Sequence, residues 1–314
     1  MPTLKSFEDL LLIKKPVVLT IGNFDGVHKG HQSVLQELQQ QKMAVGGESV
    51  VLTFSNHPSE ILKKQGIQLL TTLPHRIKLL KEAGADRILL LPFTKELALD
   101  TADDFLGKIL SRCNLKALIL GHDATLGKER KGGKEEMTAL ATKHQFFLDY
   151  VKSTNVEEKQ ISSSLIRREV QAGNFSKAET FLGRPFSLYQ KVQPGMGLGK
   201  KMGFPTLNFS VDGLCIPPLG IYVVEVIQRN QHYPAVANLG IAPTIRNDNH
   251  PILEVYLLEG KDKTEPTLPY EVIYRHYIRP EKKFDSLDAL KAQIAQDVDF
   301  AKNYPQGGKK SKFP

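Results

Sequence analysis

Apolar and polar positions follow two different rhythms along this chain. From residue 16 to about residue 180, short apolar runs (PVVLTIG, ESVVLTF, ADRILLLPF, LKALILG) alternate with segments of helical spacing (HQSVLQELQQQ, PHRIKLLKEAG, TADDFLGKILSRC). Nearly continuous Val, Ile and Leu strands alternating with helices predict a doubly wound α/β domain, its parallel sheet covered on both faces. Ligands of such sheets collect beyond the carboxyl ends of the strands, where the strand order reverses. After LGRPFSLYQK the rhythm shortens. The runs FPTLNFSV, GIYVVEVIQ, YPAVANLG, PILEVYLL and YEVIYRHYI, separated by Pro, Gly and Asn turns, predict an antiparallel barrel or sandwich. Leu287, Leu290, Ile294, Val298 and Ala301 recur at helical spacing and predict a closing helix, with Asp285 or Ser286 as its cap.

Composition agrees with two soluble cores. A chain of 314 residues exceeds what one core comfortably supports, and 41% hydrophobic with 24% charged residues is ordinary for globular domains. The expected division is 1–183 for the α/β domain and 184–305 for the β domain, with 306–314 a disordered basic tail. The net charge is +8, and three of the lysines (Lys309, Lys310, Lys312) fall in that tail. Such an excess suits phosphorylated substrates and nucleic acid alike, but no basic run interleaved with aromatic platforms is present, so nucleic acid is the remote reading. The two cysteines, Cys113 and Cys215, have no metal-ligand spacing, which favours a reducing, cytoplasmic compartment. No apolar run is long enough for a membrane span, and no signal peptide is evident.

The stretch TIGNFDGVHKGHQ (residues 20–32) runs from a strand through a glycine-bearing loop into a helix. Helix N-termini in this position bind anions through backbone N–H groups and the helix dipole. His28 and His31 can face the same side there and stabilise charge on a phosphate under attack; a pair of metal ligands is the alternative. The segment KQISSSLIRREV offers a second anion-friendly helix start, or a plain N-cap with surface arginines. The glycine-rich QPGMGLGKKMGFPTLNF has neither Walker nor G-x-G-x-x-G spacing. Glu254 alternates with Leu253 and Val255 and, on pattern alone, reads as a solvated outer-face residue.

These segments together resemble the bacterial bifunctional riboflavin kinase/FMN adenylyltransferases, also called FAD synthetases. GNFDGVHKGH is similar to the extended H-x-G-H signature, implying that Gly22, Asn23, Phe24, Asp25 and Gly30 bind nucleotide and that His28 and His31 are catalytic. The serine segment resembles the I-S-S-T-x-I-R element, giving Ser162, Ser163 and Ser164 to the phosphates and Arg167 a catalytic role. FSNHPSEIL and GHDATLG resemble the family's flavin-side loops, through His57 and Asp123. GFPTLNF resembles the G-F-P-T-A-N motif of riboflavin kinases, implying that Thr206 and Asn208 hold Mg²⁺ and that Gly197, Gly199, Lys200 and Gly203 close over ATP. Phe204 and Arg279 are implied at the flavin, and Glu254 as the base for the ribityl hydroxyl.

The resemblance implies a six-stranded antiparallel barrel after the α/β domain, and a bifunctional transferase using MgATP, riboflavin and FMN. No membrane or nucleic-acid partner is implied, and the oligomeric state stays open between monomer and weak oligomer. The sequence departs from the pattern at Asn56, Ala124, Leu126, Leu198, Lys200, Ala242 and Tyr256. Lost arginines remove bidentate phosphate contacts, so retention of the adenylyltransferase alone, with a weakened kinase, is the alternative.

Overall fold

In a computed structural model that describes residues 3–62, 66–156, 158–195, 199, 203–241, 250–260 and 264–305, the chain forms two compact units. One comprises Met1–Gln68 and Arg76–Ser163, the other Leu69–His75 and Ser164–Pro314. The tail expected at 306–314 lies outside the described residues.

The first unit is built on six parallel strands: β1 (Thr3–Leu4), β2 (Val17–Ile21), β3 (Glu48–Phe54), β4 (Arg87–Leu91), β5 (Leu115–Gly121) and β6 (Phe147–Val151), in the order β1-β4-β3-β2-β5-β6. Between them run α1 (Lys29–Val45), α2 (Pro58–Leu62), α3 (Leu73–Glu82), α4 (Lys95–Leu99), α5 (Ala102–Leu110) and α6 (Lys134–His144). Alternation of side chains sends Val18, Val51, Ile88 and Ile119 against Val34, Leu35 and Leu38 of α1 and Leu80 of α3. Their neighbours Leu19, Leu52, Leu89 and Leu118 face Phe105, Leu106 and Ile109 of α5 and Met137 of α6. Both faces are therefore buried, as parallel sheets require. Beside β2 the order reverses, with β3 on one side and β5 on the other, so the loops following β2 and β5 flank the switch point.

The amino-terminal segment contributes structure. A 3-10 turn at Phe7–Leu12 carries a capping box of Ser6 and Asp9, and its Leu10 is fully buried.

A two-stranded hairpin, β7 (Asn155–Val156) and β8 (Lys159–Gln160), precedes α7 (Ser163–Gln171) and α8 (Phe175–Leu182). The second unit is a six-stranded antiparallel barrel of β9 (Ser187–Gln190), β10 (Leu207–Ser210), β11 (Gly220–Gln228), β12 (Gln231–Ile241), β13 (Pro251–Leu257) and β14 (Tyr270–Arg279), in the order β10-β13-β12-β11-β14-β9. A bridge from Gln193 N–H to the Asn208 carbonyl, 2.8 Å, joins the two ends. Phe209, Ala237, Leu239, Leu253 and Val255 are fully buried on one face. On the other, Ile221, Val223 and Val236 receive Val298 and Ala301 of the closing helix α9 (Leu287–Asn303), whose cap is Ser286.

One ion pair ties α9 to the barrel. Arg279 at the end of β14 donates from Nε and Nη2 to the buried Asp297, at 2.9 and 2.6 Å. Removing one partner of a buried bidentate pair strands the other charge. Asp297→Ala is accordingly expected to cost about 3–5 kcal/mol, read as a lowered urea midpoint of the unit that contains the barrel.

Candidate active sites

The loop between β2 and α1 is held in an unusual backbone conformation. Phe24, Gly26 and Val27 have φ of 51°, 82° and 39°, and a β-branched residue in this region is strained. Four side chains pin the loop carbonyls from within. Thr53 Oγ1 and Arg76 Nη1 donate to the Asn23 carbonyl (3.2 and 2.8 Å), Ser163 Oγ to that of Asp25 (2.9 Å) and Gln32 Nε2 to that of Val27 (2.9 Å).

The loop delivers His28 to the N-cap of α1, where Nδ1 accepts from the His31 backbone N–H at 3.3 Å. An accepting Nδ1 carries no proton, so neutral His28 is protonated on Nε2. The two imidazoles stack with centroids 3.6 Å apart and planes 15° from parallel. Gly30 sits between them because a Cβ there would lie 3.2 Å from the His28 ring. Phe24 meets His31 edge-on at 5.2 Å. Burial first, then the neighbouring His28 and Arg76, hold His31 well below the ordinary imidazole pKa. Its Nδ1 is buried with no hydrogen-bond partner among the described residues.

One loop thus brings together Gly22, Asn23, Phe24, Asp25, His28, Gly30, His31 and Ser163. Ser162 immediately precedes α7, Ser164 is exposed in its first turn, and Arg167 lies a turn further on, in the second unit. His57 sits where β3 leads into α2, with Nδ1 2.6 Å from Ser59 Oγ. Asp123 follows β5 and is exposed. Two departures acquire physical reasons. Asn56 accepts from the Phe93 N–H at 2.8 Å and donates to its carbonyl at 3.0 Å, a pairing proline lacks the donor to make. Ala124 and Leu126 pack against the core beneath the sheet.

The barrel presents a second polar centre. Strand register sets Asn208 of β10, Glu254 of β13 and Asn238 of β12 side by side. Glu254 is half-buried on the face opposite Leu253 and Val255, accepts a hydrogen bond from the Asn238 amide, and has Glu281 nearby. Its pKa is raised, chiefly by burial and further by Glu281, against the lowering effect of Asn238. Asn238 Oδ1 is itself buried without a hydrogen-bond partner among the described residues. Asn208 Nδ2 lies 3.5 Å from the Thr206 carbonyl, and a Cβ on Gly195 would fall 2.2 Å from that same nitrogen, so the glycine lets the loop lie directly on the amide.

Phe204 N–H donates to the Gly199 carbonyl at 2.8 Å, and Gly203 lies in the turn between them. Phe204 meets Tyr256 edge-on at 5.4 Å, so the tyrosine at this departure packs as an apolar wall. Gly197 and Lys200, with Leu198 and Ala242, lie outside the described residues. The sequence offered no reason to single out Arg76, which stands in an ordinary amphipathic pattern, and only tertiary pairing gives it a role.

The α/β unit carries a stacked histidine pair at its switch point, and the barrel carries a half-buried carboxyl between two amides; a transferase with one centre in each unit is the class these features suit. The FAD synthetase family matches residues 12–165 and the riboflavin kinase family residues 182–305. Curated relatives described as bifunctional riboflavin kinase/FMN adenylyltransferase include those of Pseudomonas fluorescens, 33% identical over 90% of each chain. That of Haemophilus influenzae is 34% identical over 91% of this chain and 93% of its own, and that of Escherichia coli K12 34% over 89% and 90%. The chain belongs to the bifunctional riboflavin kinase/FMN adenylyltransferase family. A solved structure described as a macrolide-efflux protein from Streptococcus pneumoniae aligns with TM-score 0.80 and 27% identity over 97% of this chain and 100% of that one. Among the described residues, no helix is long and apolar enough to cross a membrane.

The raised pKa of Glu254 has a sign. A carboxyl that titrates higher when folded costs nothing below its unfolded pKa and destabilises fully once pH exceeds the folded value. Glu254→Gln is therefore expected to match or exceed the wild-type thermal midpoint at pH 8, with the advantage shrinking as pH falls to 4; calorimetry across that range checks it.

Proposed function

We propose that the barrel transfers the γ-phosphoryl group of ATP to riboflavin, and that the α/β unit transfers the adenylyl group of a second ATP to the FMN so formed. The observation that carries this reading is that each unit has its own polar centre, and that the two centres suit different nucleophiles.

In the barrel the nucleophile is the ribityl 5′-hydroxyl. Its oxygen bonds to the γ-phosphorus as the bond to the β,γ-bridging oxygen breaks, ADP leaves, and the hydroxyl proton passes to Glu254. A base of raised pKa is better matched to an alcohol than an ordinary carboxylate. The donors fit a hard cation: the Thr206 hydroxyl and Asn208 amide are neutral oxygen ligands, and the buried Oδ1 of Asn238, without a hydrogen-bond partner among the described residues, is a further neutral oxygen on the neighbouring strands. Mg²⁺ held there would neutralise charge on the β- and γ-phosphates. Glycines 197, 199 and 203 and Lys200 would cover the nucleotide, with Phe204 against the flavin. Arg279 supports this end through Asp297 and α9.

In the α/β unit the nucleophile is a phosphate oxygen of FMN, which attacks the α-phosphorus as pyrophosphate departs. No base is needed. His28 and His31 serve as N–H donors to the phosphorus oxygens at the start of α1, where the helix dipole adds to them. Ser162, Ser163, Ser164 and Arg167 would take the β- and γ-phosphates, with His57 and Asp123 on the flavin side.

Two variants separate the activities when riboflavin, FMN and FAD are resolved by chromatography. His28→Ala is expected to lower FAD formation from FMN by at least about 100-fold and leave FMN formation from riboflavin unchanged. Glu254→Ala is expected to do the reverse. Equal loss of both activities in either variant would sink the two-site reading, and FAD from FMN with none from riboflavin in the wild-type chain would leave only the adenylyltransferase.

A further inference from the structure

Arg76, in the first turn of α3, is only 4% exposed. Its guanidinium reaches two carbonyls from separate elements, Asn23 in the loop after β2 (Nη1, 2.8 Å) and Phe54 at the end of β3 (Nη2, 2.5 Å). Its Nε is buried with no hydrogen-bond partner among the described residues. The planar fork fixes the spacing between the carbonyls it bridges, which a flexible ammonium does not. The Asn23 carbonyl belongs to the peptide that enters Phe24, where the backbone turns to positive φ.

Burying a cation is costly unless something requires it. Of the charged groups near Arg76, the buried Asp25 partly offsets it.

We propose that Arg76 is a positioning residue for adenylyl transfer, locking the loop 22–28 to the end of β3 and supplying a fixed positive charge beneath the His28–His31 pair. This rests on the reading that the pair receives the phosphates of ATP. A guanidinium cannot lose its proton in this range, so its charge is present at every working pH. The charged or titratable neighbours acting on His31 are His28 and Arg76, and both lower its proton affinity, while Phe24 presents only its ring edge. Arg76 thereby helps keep His31 neutral and holds the loop that leads into the pair.

The test uses the full chain with FMN and MgATP, measuring kcat, KM for ATP and the acid limb of kcat/KM between pH 5 and 9. FMN formation from riboflavin in the same preparations and near-UV circular dichroism report folding. Arg76→Gln is expected to lower kcat for FAD by about 100-fold and to move the acid limb to higher pH, because His31 then binds its proton more readily. Arg76→Lys keeps the charge, so its acid limb should stay at the wild-type position while kcat remains reduced.

An unshifted acid limb in folded Arg76→Gln would overturn the proposal, as would wild-type kcat in either variant. Should Arg76→Gln fail to fold, Arg76→Lys decides alone: reduced kcat with the limb in place supports the proposal, and any other result overturns it. A wild-type chain that forms FMN but no FAD would overturn the underlying reading and the proposal with it, a result distinct from loss confined to the variants.

Discussion

The loop from Gly22 to His28 has to keep Phe24 and Val27 at positive φ, where each such residue costs about 1–3 kcal/mol. Within the loop, the Val27 N–H donates to the Phe24 carbonyl at 3.1 Å. Further compensation comes from outside it, from Thr53 on β3, Arg76 on α3, Gln32 on α1 and Ser163 at the start of α7, each binding a carbonyl of the loop. Once the carbonyls are fixed, the chain enters α1 with His28 as its cap, and the capping bond chooses the tautomer of His28. Stacking on His31 follows from helix spacing, since the cap and the third helical residue lie on the same side. The chemistry of the α/β unit therefore depends on a backbone conformation that the rest of the sheet is arranged to enforce.

The barrel solves a related problem with the opposite sign. Burial disfavours whichever form of a group is charged, so it drives His31 down and Glu254 up. His31 is left neutral as a donor, and Glu254 becomes a better proton acceptor than a solvated carboxylate. Burial is the first cause of both shifts, with His28 and Arg76 adding to one and Glu281 to the other; the buried centre is the start of α1 in one case, and in the other a strand face flanked by Asn208 and Asn238 and by the Phe204–Tyr256 pair.

Much of this was legible in the chain itself. The alternation of apolar runs and helical segments predicted the parallel sheet, and the shorter β-runs the barrel, because those rhythms are local. That the two histidines, Gly30 and Ser163 stand at helix starts was readable because helix-start signals are local too. Arg76 was not. In PHRIKLLKEAG it occupies an unremarked position, and its meaning lies in the carbonyls of residues 23 and 54, which come near only when the sheet forms. The pairing of Asn238 with Glu254 was hidden in the same way, since it depends on the register of two neighbouring strands. Pattern alone made Glu254 an outer-face glutamate; it does lie on that face, but the face is partly covered, and alternation within one strand cannot report what covers it. Likewise, that residues 69–75 belong with the second unit rests on pairings such as Leu69 with Leu214, more than a hundred positions apart.

The different furnishing of the two centres follows from what each nucleophile lacks. A ribityl hydroxyl is neutral and must lose a proton as it attacks, so a carboxyl of raised pKa beside neutral amides suits it. The FMN phosphate is already an anion at neutral pH, its second pKa being near 6. It must approach another anion, and the obstacle is repulsion and charge accumulating at the α-phosphorus. In the proposed reading two imidazole donors, a helix N-terminus and a buried guanidinium would lessen that charge, whereas a carboxylate aimed at the same point would add to it. Asp25, the buried carboxyl of this loop, sits where it offsets Arg76. The unlike requirements of the two steps thus give a physical reason for placing them in separate units of one chain, since a single set of side chains tuned for one would hinder the other.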